Sequence, residues 1–191
     1  MIVYTAICGS KDKPRDDIRV FSTYDKFVSP VMNAKIYKVL PHKFLDDDVT
    51  MWVDGNIFLL EPVEKIVEDF LGGADMAVWK HPERDCIFKE AEAAKGLFEN
   101  IDIRNSIDEH INHYASMCIP SITLAECNVI IRRNTPTVNA FNEAWWAEIC
   151  RWSFRDQLSF PVVLRNFPIN VNYIVGNVRN HKYFKYEPHF H

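Results

Sequence analysis

Paired cysteines, glycine loops, basic runs and long apolar segments are all missing from this sequence, and each absence excludes something. The five cysteines (Cys8, Cys86, Cys118, Cys127, Cys150) are odd in number and widely spaced, with no C-x-x-C pair. That argues against a disulfide frame or a cysteine zinc site and for reduced thiols in a cytosolic, cytoplasmic setting. Only six glycines occur, and the single Gly9 after the first apolar segment reads as a plain turn as readily as a nucleotide loop. The formal charge is −4 with no long basic run, so a nucleic-acid surface would have to be a local patch, and none is expected as a partner. No segment approaches the length of a membrane span. Residues 1–7 are apolar but carry no basic leader or cleavage signature, so they read as a first strand. What is present is ordinary for a globular domain, 48% hydrophobic and 25% charged. The 191 residues are enough to bury about 70% of the unfolded surface in one domain.

The chain is organised around residues 50–60, Thr-Met-Trp-Val-Asp-Gly-Asn-Ile-Phe-Leu-Leu. A short apolar run rich in β-branched and aromatic residues predicts a strand buried on both faces, as in a parallel sheet. Asp54 interrupts it, and a charge inside such a run is costly unless paired or bound to a metal. The spacing predicts a strand ending at Val53, a turn at Gly55 and a new strand from Ile57. Asp54 and Asn56 then stand at the carboxyl end of a strand, where open α/β sheets bind ligands.

Around this stretch the pattern alternates between strands and helices. Residues 18–21, 75–79 and 126–133 read as strands, and 32–40, 61–71, 90–98 and 103–118 as helices. Thr135-Pro136 opens a further helix that buries Val138, Phe141, Trp145, Ile149 and Trp152. Pro161 is expected to limit any helix after Arg155. The aspartates at 46–48 read as a solvated turn, and His110 and His113, which lack an H-E-x-x-H arrangement, as surface or capping residues. The polar exit at residues 80–85 is either a site or a salt-bridged loop. Alternating elements predict an α/β fold with a mostly parallel central sheet flanked by helices.

Four pieces then fall into a known order: Ala34-Lys35-Ile36, Asp54-Gly55-Asn56, Cys127-Asn128-Val129 and Asp156-Gln157. The chain resembles GT-A-fold nucleotide-sugar glycosyltransferases of the glycogenin and bacterial galactosyltransferase type. Residues 52–54, 80–87 and 155–160 are more similar still to a glycosyltransferase-like domain family of plant Golgi proteins linked to mucilage and wall polysaccharides. The resemblance implies one Rossmann-like GT-A domain over 1–191, with a nucleotide-binding part at about 1–80 and a donor-sugar and acceptor part at about 81–191. It implies a retaining transfer of a hexose-type sugar from a UDP-sugar to a glycan or other hydroxyl acceptor, with Mn²⁺ or Mg²⁺ as cofactor. Asp54, Asn56 and His189 would be the metal ligands, with His191 and His181 as substitutes for His189. Ala6 and Gly55 would line the nucleotide, Lys35 would meet the diphosphate, Asn128 would hold the sugar, and Asp156 and Gln157 would be the catalytic pair. Were the reaction inverting, Asp156 would be the base. Asn56 replaces the family's second aspartate and favours an alternative, a non-catalytic sugar-nucleotide or glycan-binding module. A nucleotidyltransferase would want a glycine-rich basic loop after the first strand, which is absent. The sequence is compatible with one domain of a longer glycan-building chain.

Overall fold

Alternating side chains decide how the central strands are buried, because successive residues of a strand face opposite sides of its sheet. The computed structural model describes residues 1–191 except Lys11, Cys118, Pro120, Ser121, Ile122, Phe190 and His191. Its strands are β1 (Ile2–Ala6), β2 (Arg19–Phe21), β3 (Val49–Val53), β4 (Ile57–Leu59), β5 (Met76–Lys80), β6 (Ala125–Arg133), β7 (Val171–Ile174) and β8 (Phe184–Tyr186). Six of them form one sheet in the order β2-β1-β3-β6-β5-β7. Pairs β1–β2, β1–β3 and β5–β7 are parallel, while β6 runs antiparallel to both β3 and β5. The mixed α/β fold with a mostly parallel sheet is therefore present, with one reversed strand near its middle.

The helices are α1 (Pro30–Val39), α2 (Val63–Phe70), α3 (Ile87–Lys95), α4 (Ile101–Ser116), α5 (Pro136–Arg151) and α6 (Asp156–Leu164). Tyr4, Trp52, Met76 and Val78 face a core layer with Ile36 and Val39 of α1, Phe141 and Trp145 of α5 and Phe160 of α6. Their strand neighbours Val3, Met51, Val53, Ala77 and Trp79 face the other side, against Ile66 of α2, Val178 and Phe184. A third cluster joins α3, α4 and α6 through Ala91, Ile107 and Leu158. The expected elements are all found, with some ends displaced; the predicted end of α4 at Cys118 lies outside the described residues.

Two expectations change, for Pro161 and His110, and the placing of the strand from Ile57 is new. The strand restarting at Ile57 leaves the central sheet, because β4 pairs antiparallel with β8 as a separate ribbon. Pro161 does not limit the helix: it lies inside α6. The missing amide forfeits one ladder bond, but Leu158, Phe160, Val162 and Val163 of the same helix are buried, and that packing outweighs the loss. His110 is not a surface residue. It is fully buried, its Nδ1 2.9 Å from Ser153 Oγ, while His113 stacks on Trp152. Among the described residues no helix is long and apolar enough to cross a membrane, and Cys8, Cys86, Cys127 and Cys150 are free thiols.

Candidate active site

A cleft of about 680 Å³ opens where β1 and β3 end, and Ala6, Lys35, Asp54, Gly55, Asn128, Asp156, Gln157 and His189 all line it. Because β6 is reversed, its beginning lies at this edge, so Glu126, Cys127 and Asn128 join the wall. The pairing of β5 with β6 is irregular here. Val78 pairs with Ile130, yet the next residue, Trp79, pairs with Glu126. The intervening residues of β6 bulge, a device that re-aims side chains beside functional sites. Asp54 N donates to Asn128 O at 2.8 Å, which fastens the turn after β3 to that bulge.

Two ammonium groups and two carboxylates meet in the floor of the cleft. Lys35 Nζ and Lys38 Nζ lie 3.0 and 2.8 Å from Asp156 Oδ2, and Lys38 Nζ also lies 3.4 Å from Asp54 Oδ1. Trp52 Nε1 donates to the same Asp54 oxygen at 2.8 Å. Burial by itself would raise the Asp156 carboxyl, but the two lysines outweigh it and hold the group well below the usual carboxylate range. Burial likewise opposes the charge on Lys38, and Asp156 with Asp54 reverses the effect and raises it. Asp156 opens α6 and sits in its first turn, where a negative charge is favourable. Buried Arg132 on β6 donates to the Lys38 carbonyl at the end of α1 and to Asn142 Oδ1 of α5. A cation against the last carbonyls of a helix complements its dipole, and it holds α1 with Lys35 and Lys38 turned to the cleft.

The opposite rim is built from the turn after β3, the loop after β1 and the C-terminal segment. Asn56 Nδ2 lies 3.3 Å from His189 Nε2, and His189 Nδ1 lies 2.6 Å from Asp12 Oδ1. A carboxylate on one ring nitrogen of a histidine fixes the orientation of the ring, and here the other nitrogen is met by the Asn56 amide. A Cβ at Gly55 would stand 2.6 Å from Asp12 Oδ2, so any side chain there would displace that carboxylate. His181, the substitute ligand, instead packs among Phe70, Trp79, Tyr183 and Phe184 and does not line the cleft. The other substitute, His191, lies outside the described residues. Among the described residues no three His, Cys, Asp or Glu side chains form a group that could hold a metal. The Asp54 side chain is nevertheless 38% exposed. Asp54 and His189 line the cleft, whereas Asn56 does not, and it is the amide nitrogen of Asn56, not its oxygen, that lies against His189.

The third wall comes from the exit of β5, which proves to be both a salt-bridged loop and part of the cleft. Glu90 on α3 is 1% exposed and receives Arg84 Nε at 2.5 Å and Arg155 Nη2 at 2.8 Å. Arg155 Nη2 also donates to Gln157 Oε1 at 2.8 Å. His81 accepts from the backbone amides of Glu83 and Arg84, and burial lowers its affinity for a proton. Glu126 Oε1 accepts from Arg179 Nη1 at 2.6 Å. Sequence reasoning missed Lys38, Glu90, Glu126 and Arg179. Lys38 was within reach, one helical turn after Lys35; the other three become neighbours only through tertiary folding. The lining charges balance, with Lys35, Lys38, Arg84, Arg155 and Arg179 against Asp12, Asp54, Glu90, Glu126 and Asp156.

A curated relative, the probable hexosyltransferase MUCI70 of Arabidopsis thaliana, is 31% identical over 154 residues, which cover 75% of this chain and 26% of that protein. The chain thus spans about a quarter of the length of that relative. Among solved structures, mouse xyloside xylosyltransferase 1 matches with a TM-score of 0.42 at 12% identity, over 74% of this chain and 50% of that one. The bifunctional glycosyltransferase WbbM matches with a TM-score of 0.43 at 17% identity, over 82% of this chain and 28% of that one. Residues 18–186 match the family model described as TOD1/MUCI70, glycosyltransferase-like domain, and the chain belongs to that family.

Proposed function

We propose that this chain is a glycosyltransferase domain that moves a hexose-type sugar from a UDP-sugar to a hydroxyl of a glycan or other acceptor, with retention and with help from Mn²⁺ or Mg²⁺. The observation that carries the reading is the meeting of Ala6, Lys35, Asp54, Gly55, Asn128, Asp156, Gln157 and His189 in one cleft at the carboxyl ends of β1 and β3. Residues 1–80 would supply most of the nucleotide side, and residues 81–191 the sugar and acceptor side.

Transfer requires that charge developing on the departing diphosphate be neutralised as the glycosidic bond breaks. The cleft's own cations are matched by its carboxylates, so an incoming diphosphate favours a further positive charge. Asp54, Asn56 and His189 would hold the ion, which when bound polarises the phosphate oxygens of the leaving group. Lys35 and Lys38 supply positive charge from α1, and Gln157 stands beside Asp156 at the start of α6. Asp156 is a poor general base, since its two lysine partners favour the unprotonated state. Its role is to position those lysines and the donor, which supports retention over inversion. The competing reading, a non-catalytic binding module, is favoured by Asn56, which has one negative charge fewer than an aspartate.

Calorimetry of UDP and UDP-hexoses with Mn²⁺ present and then chelated tests this reading. Metal-dependent binding that is lost in Asp54→Ala, together with donor turnover by the wild type, is the expected result. No binding of any UDP compound would overturn the uridine donor, and binding without turnover in either form would favour the module.

A further inference from the structure

Two neighbours on β6 leave polar atoms unanswered at the wall of the cleft. Glu126 and Asn128 are each 7% exposed, and both line the cavity. Arg179 engages one oxygen of Glu126. Among the described residues nothing bonds the other oxygen, Oε2, or either the oxygen or the nitrogen of the Asn128 amide. Buried polar groups without a partner are expensive and rare, and here three occur two residues apart beside a cavity. They are two acceptors and one donor. Two adjacent hydroxyls satisfy that set: one accepts from the Asn128 nitrogen and donates to Glu126 Oε2, and the other donates to the Asn128 oxygen. A phosphate does not, because its oxygens would meet a carboxylate of like charge. The bulge in β6 explains how both side chains reach the same cavity.

We propose that Glu126, with Asn128 beside it, recognises neighbouring hydroxyls on the transferred sugar ring and so selects the sugar; this rests on the donor-site reading above. Arg179 acts through Glu126 as a positioning residue, fixing one oxygen so that the other faces the ring.

The test compares UDP, a bound UDP-hexose and its monodeoxy analogues by calorimetry on the wild type, Glu126→Gln and Glu126→Asp, with thermal melts as a folding control. In the wild type, one or two adjacent deoxy positions should weaken binding by about tenfold or more. Glu126→Gln should weaken the parent UDP-hexose by about the same factor, remove the discrimination at one of those positions and leave UDP within about twofold. Glu126→Asp keeps the charge opposite Arg179 but withdraws the oxygen by one methylene, so it should show the same selective loss and decides the matter if the Gln variant does not fold. Unchanged discrimination in a folded variant, or equal loss for UDP and UDP-hexose, overturns the inference alone. A wild type that binds neither overturns the donor-site reading and this inference with it.

Discussion

Replacing Lys38 by methionine tests the ion cluster on which the cleft floor depends. Lys38 is 7% exposed, with its ammonium 2.8 Å from Asp156 and 3.4 Å from Asp54. Methionine keeps the side-chain length and helix propensity, and the Lys38 carbonyl that Arg132 engages is untouched, so the change removes little besides charge. Breaking a buried ion pair by deleting one partner costs about 3–5 kcal/mol. Here Lys35 remains 3.0 Å from the same Asp156 oxygen, and repulsion between the two ammonium groups disappears, so about 2–3 kcal/mol is the better figure. At about 2–4 °C per kcal/mol for a domain of this size, the melting temperature should fall by about 4–12 °C. The assay is thermal unfolding by circular dichroism at pH 7, with Lys43→Met as the control. Lys43 makes an exposed pair with Glu143, and its loss should move the transition by no more than about 2 °C. In an Asp156→Asn background, the same Lys38→Met change should cost less than about 1 kcal/mol, since the attraction it removes is already gone. A Lys38→Met protein that melts like the control, or an equal penalty in both backgrounds, would refute the reasoning.

Two further outcomes are expected. His110 is fully buried, and burial with help from His113 brings its imidazole from 6.5 down to about 4. The unfolded chain therefore binds this proton below about pH 6.5 and the folded chain only below about pH 4. This imidazole should lower stability by roughly 3 kcal/mol across that window, and its own contribution then levels off. Urea titrations between pH 7 and 4 should show a slope that is smaller in His110→Gln than in the wild type by about this amount; identical slopes would contradict it. Gly55→Ala would push the Asp12 carboxylate away and so free His189 from its orienting partner. Metal-dependent UDP affinity should fall by about 10–100-fold with little change in melting temperature, and unchanged affinity would show that His189 does not depend on Asp12.

Much of the fold was legible because period and punctuation are local properties. The apolar run through Met51-Trp52-Val53, the stripe of α2 before Gly72 and the Thr135-Pro136 opening of α5 each follow from a few adjacent residues. Pro161 misled for the same reason, since propensity is local whereas the packing that overrides it is not. His110 was misplaced because a polar residue on a helix does not reveal whether another segment will supply its partner, as Ser153 does.

The candidate site divides along the same line. The sequence by itself determined that a carboxylate, Asp54, ends a buried strand, that Lys35 lies on a helix before it, and that Asp156-Gln157 follows the last long helix. Tertiary structure alone decided that Lys35 and Lys38 share Asp156, that Asp12 orients His189, and that the bulge in β6 brings Glu126 and Asn128 to the cleft. Those are contacts between segments far apart in the chain. Their formation depends on sheet order, on the reversal of β6 and on how the helices pack, and none of these is encoded in the spacing of any one motif.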